Sequence, residues 1–120
     1  MKLIPYQTRN IRKYSALLHT LRNDLGDAFA WTMLYWCGIL PKEEFMNPDD
    51  LWEVFLFEVP DEKYPIGITG IYSLDGFPKD KLWVGGYGIT PQFRNKGLGE
   101  QILNFTKQKA KEFGATELYL

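Results

Sequence analysis

The sequence of 120 residues predicts a single α/β (α+β) domain, residues 1–120, with a mixed, mostly antiparallel sheet flanked by helices. Three observations indicate this fold. Apolar runs of strand length follow one another between residues 51 and 89, separated by short turns. Segments on both sides of those runs carry apolar residues at the three- and four-residue spacing of amphipathic helices. No repeat, low-complexity stretch or linker divides the chain. The predicted order is β-α-α-β-β-β-α-β.

The first part of the chain predicts one short strand and two helices. Residues 2–6 form the predicted strand, and turn-prone residues follow it. Apolar residues recur at helical spacing through residues 11–25, so a helix is expected that ends near Gly26. Residues 28–36 are apolar on most sides and predict a second helix, with Asp27 as its N-cap.

Three strands are predicted in the middle of the chain. Residues 51–59 (LWEVFLFEV) carry large apolar side chains at both alternating sets of positions, which is typical of a central strand covered on both sides. Residues 66–74 and 82–89 predict the next two strands. Turn sequences separate the three, so hairpin-like connections should make them antiparallel.

The last part of the chain predicts a helix and a final strand. Residues 97–113 have helical spacing, and Gly114 suits the C-terminal end of that helix. Residues 117–120 predict the start of another strand. A right-handed crossover would place that strand parallel to the strand at residues 82–89.

Composition and charge limit the classes of function. The net charge is −1 and the pI is about 5.8, which argues against a general nucleic-acid-binding protein. Charge is nevertheless uneven: residues 94–112 hold five basic and two acidic side chains, whereas residues 42–62 hold one basic and eight acidic side chains. These regions would suit an anionic and a cationic ligand, respectively, or they are simply two solvated surfaces.

Localisation follows from the cysteine count and the apolar stretches. Cys37 is the single cysteine, so no internal disulfide can form and a reducing compartment is expected. Residues 1–13 lack the apolar core of a signal peptide. The longest apolar stretch, residues 28–40, is too short to span a membrane. A cytoplasmic protein without a membrane partner is therefore predicted.

The most informative motif is residues 92–99, QFRNKGLG. It lies between a predicted strand and a predicted helix, where the first helical amides have no partner within the helix and the helix dipole attracts anions. Gly97 and Gly99 allow a ligand to approach the backbone, and Arg94 and Lys96 add positive charge. The Rossmann pattern fails because Ile102 stands where its third glycine is needed, and no P-loop sequence is present.

This Arg-x-x-Gly-x-Gly motif resembles the acetyl-CoA pyrophosphate loop of the GNAT N-acetyltransferase superfamily. The wider stretch LWVGGYGITPQFRNKGLGEQIL is similar to that family's central strand, loop and following helix. The resemblance is specific over residues 50–120 and rests only on element order before them. It implies that acetyl-CoA is the co-substrate and that Ile89 and Thr90 contact its pantetheine arm. It further implies that the pyrophosphate is held by Arg94, Asn95, Lys96, Gly97, Leu98, Gly99 and Glu100.

The resemblance also implies direct transfer of the acetyl group to an amine, without an acyl-enzyme. A backbone amide near Ile89 would polarise the thioester carbonyl, and the same strand edge would pair with the pantetheine amides. Gly85, Gly86 and Gly88 fit this expectation, because glycines inside a strand indicate a bulge or a closely approached backbone.

Glu58, Tyr72 and Tyr87 are the catalytic candidates. Glu58 is the only charged residue on its face of the strand at residues 51–59, where partial desolvation would make it a stronger base. Alternatively, it meets solvent at the strand end. Tyr72 and Tyr87 would contact the acceptor or relay a proton, or they pack in the core.

The remaining reactive and aromatic residues are given minor roles. His19 is expected on the surface of the first helix, and Cys37 as a small core residue. Aromatic residues of the second helix would pack in the core or line the acceptor pocket; they are Phe29, Trp31, Tyr35 and Trp36. No cluster of residues has metal-ligand spacing, so no metal is predicted.

One departure from the family pattern leaves the function open. Relatives continue past the last predicted strand with a helix and two further strands, and that helix carries their usual tyrosine general acid. The sequence ends at Leu120, so no residue corresponds to that tyrosine. Three alternatives follow: an N-acetyltransferase acting on a small-molecule or peptide amine, a non-catalytic acyl-CoA-binding or regulatory module, and a fragment completed by a partner chain or a homodimer.

Overall fold

The computed structural model describes residues 2–7, 50–74 and 76–120. The two helices predicted within residues 11–25 and 28–36 lie outside the described residues. So do the cap residue Asp27 and the candidates discussed with these helices, which are His19, Phe29, Trp31, Tyr35, Trp36 and Cys37.

The described residues form a five-stranded sheet and one α-helix. Strand order along the sheet equals sequence order, β1-β2-β3-β4-β5, with antiparallel pairing from β1 to β4 and parallel pairing between β4 and β5. The predicted mixed, mostly antiparallel sheet is confirmed, and each strand lies within two residues of its predicted ends. The elements are β1 (Ile4–Tyr6), β2 (Trp52–Glu58), β3 (Gly67–Tyr72), β4 (Lys81–Ile89), α1 (Leu98–Glu112) and β5 (Glu117–Tyr119).

Strand β2 is buried on both faces, as its double apolar pattern predicts. Val54, Phe55, Leu56 and Phe57 are each at most 6% exposed, and they alternate between the two faces of the sheet. Phe55 and Phe57 face α1, where they pack with the fully buried Ile102. A strand in this position keeps its neighbours β1 and β3 aligned over a continuous apolar layer.

Helix α1 is fixed to the sheet by apolar packing and by one buried polar pair. The Thr69 and Thr106 hydroxyls are 2.8 Å apart, and both residues have no exposed surface. Thr106 donates to the Ile102 carbonyl at 2.7 Å, so Thr69 serves as the donor to Thr106. This chain of donors satisfies both hydroxyls inside the core. The helix ends at the predicted place, with Gly114 in the left-handed region at φ 90°.

Strand β4 contains the bulge that its glycines predict. Ile68 pairs with Gly88, but Gly70 pairs with Gly85, so β4 holds one more residue than β3 in this interval. Gly86 adopts φ 74°, which is the left-handed conformation that the first residue of a glycine bulge requires. The bulge changes which backbone groups of the last part of β4 face β3.

Strand β5 pairs with only the first part of β4. Their parallel register joins residues 81–83 to residues 117–119, and a Lys81–Glu117 ion pair of 2.8 Å holds the two strands together. The remaining residues of β4, 84–89, extend beyond this pairing. Within the described part of the chain, that stretch of β4 therefore has a strand on one side only.

Helix α1 has 15 residues and carries charged side chains along its length. No helix in the described ranges combines the length and the apolar character needed to cross a membrane.

Candidate functional site

The segment between β4 and α1 is an ordered turn anchored to β3. The Thr90 amide donates to the Ile66 carbonyl at 2.8 Å, immediately after β4 ends. A 3₁₀ turn, Pro91–Phe93, follows, and the Phe93 amide closes it on the Thr90 carbonyl at 3.0 Å. Proline at the first position of this turn suits the φ angle required there. The chain thus leaves the sheet in a defined direction before it enters α1.

Two residues with positive φ complete the turn. Asn95 has φ 63° and Gly97 has φ 77°. Asparagine tolerates this region better than other side-chain-bearing residues, and glycine enters it without a steric cost. Gly97 occupies the N-cap position of α1 without any side-chain cap, and no atom of the described residues lies within 4 Å of a Cβ built on it. Among the described residues, the position of the Gly97 side chain is therefore open.

Four amides at the start of α1 have no partner within the helix. The first helical bond runs from the Gln101 N–H to the Gly97 carbonyl at 3.4 Å, so the N–H groups of residues 97–100 precede the helical ladder. Unsatisfied amides and the helix dipole both favour an anion at this end of α1. The exposed side chain of Lys96 lies 5.4 Å from the Phe93 ring centre, which leaves its charge at the turn.

Arg94 links the turn to the end of β4. Its Nε donates to the Ile89 carbonyl at 3.0 Å. The exposed guanidinium places a positive charge beside the start of α1, while one of its N–H groups supports the strand. Arg94 therefore supports the end of β4 by a hydrogen bond and also adds positive charge next to the start of α1.

The Ile89 backbone faces away from β3. Hydrogen-bonded and non-hydrogen-bonded pairs alternate in an antiparallel ladder. Because Thr90 bonds to Ile66, the neighbouring pair of Ile89 and Gly67 must be a non-hydrogen-bonded one. The Ile89 N–H and carbonyl thus point to the free side of β4, beyond its pairing with β5. The family resemblance implies that an amide near Ile89 polarises a thioester.

Tyr87 reaches the first turn of α1. Its hydroxyl donates to the Gly99 carbonyl at 2.6 Å. Partial burial raises the pKa of the Tyr87 phenol, so the group is protonated and a donor at neutral pH. This contact was not predicted, because it depends on the bulge at Gly86, which sets the direction of the next side chain.

Glu58 and Tyr72 lie on the sheet face opposite α1, since their strand neighbours Phe57 and Ile71 face the helix. Glu58 is half-buried. Two strand spacings separate β2 from β4, so Glu58 is about 10 Å from the line of β4 at Ile89.

Tyr72 belongs to a row of aromatic side chains that crosses the sheet. Its ring centre is 4.9 Å from that of Trp52 and 6.3 Å from that of Trp83. Trp83 stacks in turn on Tyr119 at 5.1 Å. Tyr72 pairs with Trp83, six residues before Ile89, which corresponds to about 20 Å along β4. The structure therefore does not bring Tyr72 together with Glu58 or with the β4–α1 turn.

No group of three or more His, Cys, Asp or Glu side chains in the described ranges is arranged to hold a metal ion. The polar groups gathered at the turn are instead amides and cations, which recognise anions.

Comparison with protein families identifies one match. A sequence model described as the acetyltransferase (GNAT) family matches residues 16–120. No curated protein matches the sequence.

Solved structures with the same fold include two GNAT family acetyltransferases and an N-acetylglutamate synthase, each below 20% identity. A GNAT family acetyltransferase of Staphylococcus aureus gives a TM-score of 0.70 at 18% identity, over 100% of this chain and 86% of that one. A GNAT family acetyltransferase of Elizabethkingia anophelis with acetyl-CoA bound gives a TM-score of 0.62 at 19% identity, over 98% of this chain and 61% of that one. The N-acetylglutamate synthase of Neisseria gonorrhoeae, complexed with coenzyme A and N-acetyl-glutamate, gives a TM-score of 0.66 at 16% identity, over 98% of this chain and 24% of that one. The chain thus spans less than two thirds of the last two proteins.

The left-handed conformation of Gly97 generates a stability prediction. Replacing Gly97 by alanine should lower the free energy of unfolding by about 1–2 kcal/mol, because a Cβ is strained at this φ although space is available. Asparagine at the same position should cost clearly less. Urea unfolding of both variants measures the difference, and an alanine variant as stable as the wild type would contradict the strained geometry.

Proposed function

The chain belongs to the acetyltransferase (GNAT) family, and we propose that it transfers the acetyl group of acetyl-CoA to a primary amine by direct attack. The observation that carries this proposal is the set of amides at residues 97–100 that have no partner within α1, beside Arg94 and Lys96 and next to the outward-facing Ile89 amide. These features are the ones that an extended ligand with a charged pyrophosphate and an amide-bearing arm requires.

The pyrophosphate would bind at the start of α1. Its oxygens accept hydrogen bonds from the amides of Asn95 to Glu100, with Gly97 leaving room for close approach. Charge-assisted hydrogen bonds of this kind are about twice as strong as neutral ones. Glu100 contributes its backbone amide, while its carboxylate is exposed to solvent.

The pantetheine arm would run along the free side of β4. An extended, amide-bearing chain can pair with an unpaired strand edge as an additional strand would. Ile89 and Thr90 lie where this edge meets the turn. The Ile89 N–H would then donate to the thioester carbonyl oxygen and stabilise the negative charge that develops on it during attack.

The chemistry needs a neutral amine and a proton for the leaving thiolate. The amine nitrogen attacks the thioester carbonyl carbon, a C–N bond forms and the C–S bond breaks. The nitrogen loses one proton to a base and the thiolate gains one, so the products are the acetylated amine and free CoA thiol. General bases of this kind contribute about 10²–10⁴-fold to the rate.

We assign the role of base to Glu58, acting through water. It is half-buried, and its distance of about 10 Å from the line of β4 leaves room for an acceptor amine and one or two water molecules. Tyr72 is too far along the sheet for this step, and we place it in the wall of the acceptor-facing surface, with Trp52 and Trp83.

The acceptor we propose is a small-molecule or peptide amine that arrives as a cation. Residues 50–62 hold five acidic side chains and no Lys or Arg, and Glu58 is one of these acids. Of these acids, Glu58 and the exposed Asp61 and Glu62 lie at the end of β2 and just beyond it. Their negative charge raises the local concentration of cationic amines, while the basic turn attracts the cofactor from its own side.

A charge pair at Gly97 tests the pyrophosphate site. Gly97→Asp should weaken acetyl-CoA binding at least about tenfold relative to Gly97→Asn, because it places a carboxylate where the phosphates bind. The two side chains have the same shape, and each tolerates positive φ. Calorimetric titration of acetyl-CoA into both folded variants and the wild type measures the effect. Equal affinities of the Asp and Asn variants would refute the site.

A second pair of variants tests the base. Glu58→Gln should lower kcat about a hundredfold or more and leave the affinity for acetyl-CoA unchanged, because the amide cannot accept the amine proton. Glu53→Gln is the matched control, on the opposite face of the same strand. Release of CoA thiol in the presence of small amines, peptide N-termini and lysine side chains provides the assay. Wild-type binding without turnover of any amine would favour the non-catalytic acyl-CoA-binding alternative, and a fully active Glu58→Gln variant would exclude Glu58 as the base.

A further inference from the structure

Tyr87 connects the two halves of the proposed cofactor site. It follows the bulge residue Gly86 in β4, two residues before Ile89, and its hydroxyl lies 2.6 Å from the Gly99 carbonyl in α1. No other side-chain hydrogen bond from β4 to the first turn of α1 occurs in the described ranges. This contact therefore links the helix start directly to β4, in addition to the apolar packing of Leu98 and Ile102.

Gly99 is the second glycine of the Arg-x-x-Gly-x-Gly motif, and the structure offers a reason for it within the protein. A Cβ built on Gly99 would lie 3.0 Å from the Tyr87 hydroxyl; apart from its chain neighbours and the backbone of α1, no other atom of the described residues lies within 4 Å. That distance is shorter than ordinary van der Waals contact. Gly97 differs in this respect, because no atom of the described residues lies within 4 Å of a Cβ built on it. The two glycines of the motif are thus required for different reasons: Gly97 for its backbone conformation and Gly99 for the space beside Tyr87.

The Tyr87 hydroxyl is suited to a permanent structural contact. Desolvation raises the pKa of the phenol, which keeps the proton on the oxygen through the neutral pH range. The hydroxyl is accordingly engaged as a donor to Gly99, on the helix side of the sheet, whereas Glu58 lies on the opposite face.

We propose that Tyr87 is a positioning residue that holds the pyrophosphate-binding turn of α1 against β4, and that Gly99 is glycine because the Tyr87 hydroxyl occupies the space of its side chain. This inference rests on the proposed function and specifies how its cofactor site is assembled. Tyr87 touches neither the reacting atoms nor the acceptor in this role, so it is distinct from a proton relay.

The first test removes the hydroxyl alone. Tyr87→Phe should weaken the binding of acetyl-CoA and of adenosine 3′,5′-bisphosphate about three- to tenfold, which corresponds to the loss of one hydrogen bond. Tyr64→Phe is the matched control, since Tyr64 is an exposed tyrosine in the turn between β2 and β3. Calorimetric titration gives the affinities, and urea unfolding gives the stability of each variant.

The second test separates positioning from a general loss of structure. Gly99→Ala should weaken acetyl-CoA binding in the Tyr87 protein, because the new methyl group displaces the hydroxyl. The same substitution should have little further effect in the Tyr87→Phe protein, where that hydroxyl is absent. Affinities of the two single variants and the double variant form a double-mutant cycle with a clear interaction term. A methyl group that blocked the ligand directly would instead give equal, additive losses in both backgrounds.

The outcomes distinguish this inference from the proposed function. Absence of acetyl-CoA binding by the folded wild-type protein overturns the proposed function, and the inference with it. Wild-type binding together with an unchanged affinity of Tyr87→Phe, or with additive effects in the cycle, overturns the inference alone. Wild-type binding with a weaker Tyr87→Phe variant and a non-additive cycle supports both.

Discussion

The hydrogen bonds that tie the end of β4 to β3 determine the rest of the site, because the described residues place no strand on the other side of residues 84–89. The bond from Thr90 to Ile66 continues the β3–β4 ladder to the last residue before the turn. The bulge at Gly86 lies within the same ladder. The non-hydrogen-bonded pair of Ile89 and Gly67 turns the Ile89 backbone away from β3, and the pairing with β5, at residues 81–83, does not reach it. An outward-facing amide at this position exists only because β4 continues past its parallel neighbour.

The start of α1 is held beside this edge by the core. Leu98, the first residue of the helix, is 1% exposed and packs with Val59 and Ile66, while Ile102 one turn later is fully buried. Burial of such side chains stabilises the fold by about 1.5–3 kcal/mol each. The position of the helix start is therefore fixed, and its free amides stay directed at the same point in space. A fixed helix start with unsatisfied donors is a preorganised anion site, and Arg94 and Lys96 add charge to it.

Much of this arrangement could be predicted from local patterns. The two apolar faces of β2 predicted a central strand, the glycines of β4 predicted a bulge, and Arg-x-x-Gly-x-Gly predicted the turn. The direction of the Ile89 amide could not be predicted, because it depends on the register beyond a one-residue bulge. The contact of Tyr87 with Gly99 was missed for the same reason. Asparagine is more common than most residues at positive φ, but this preference alone is too weak to predict the left-handed conformation of Asn95. Glu58 and Tyr72 lie on the same face of the sheet but far apart along it. Strand alternation could predict the shared face, but not the distance between the two side chains.

The central claim is that the free amides of the β4–α1 turn bind the phosphates of acetyl-CoA while the Ile89 amide binds its acyl end. Amide-resolved NMR of the ¹⁵N-labelled protein during titration with acetyl-CoA tests this claim most directly. The account predicts large shifts for the amides of residues 95–100 and of Ile89 with acetyl-CoA. Adenosine 3′,5′-bisphosphate should shift residues 95–100 and leave Ile89 nearly unchanged. Binding that shifts amides elsewhere in the chain, with residues 95–100 unaffected, would contradict it.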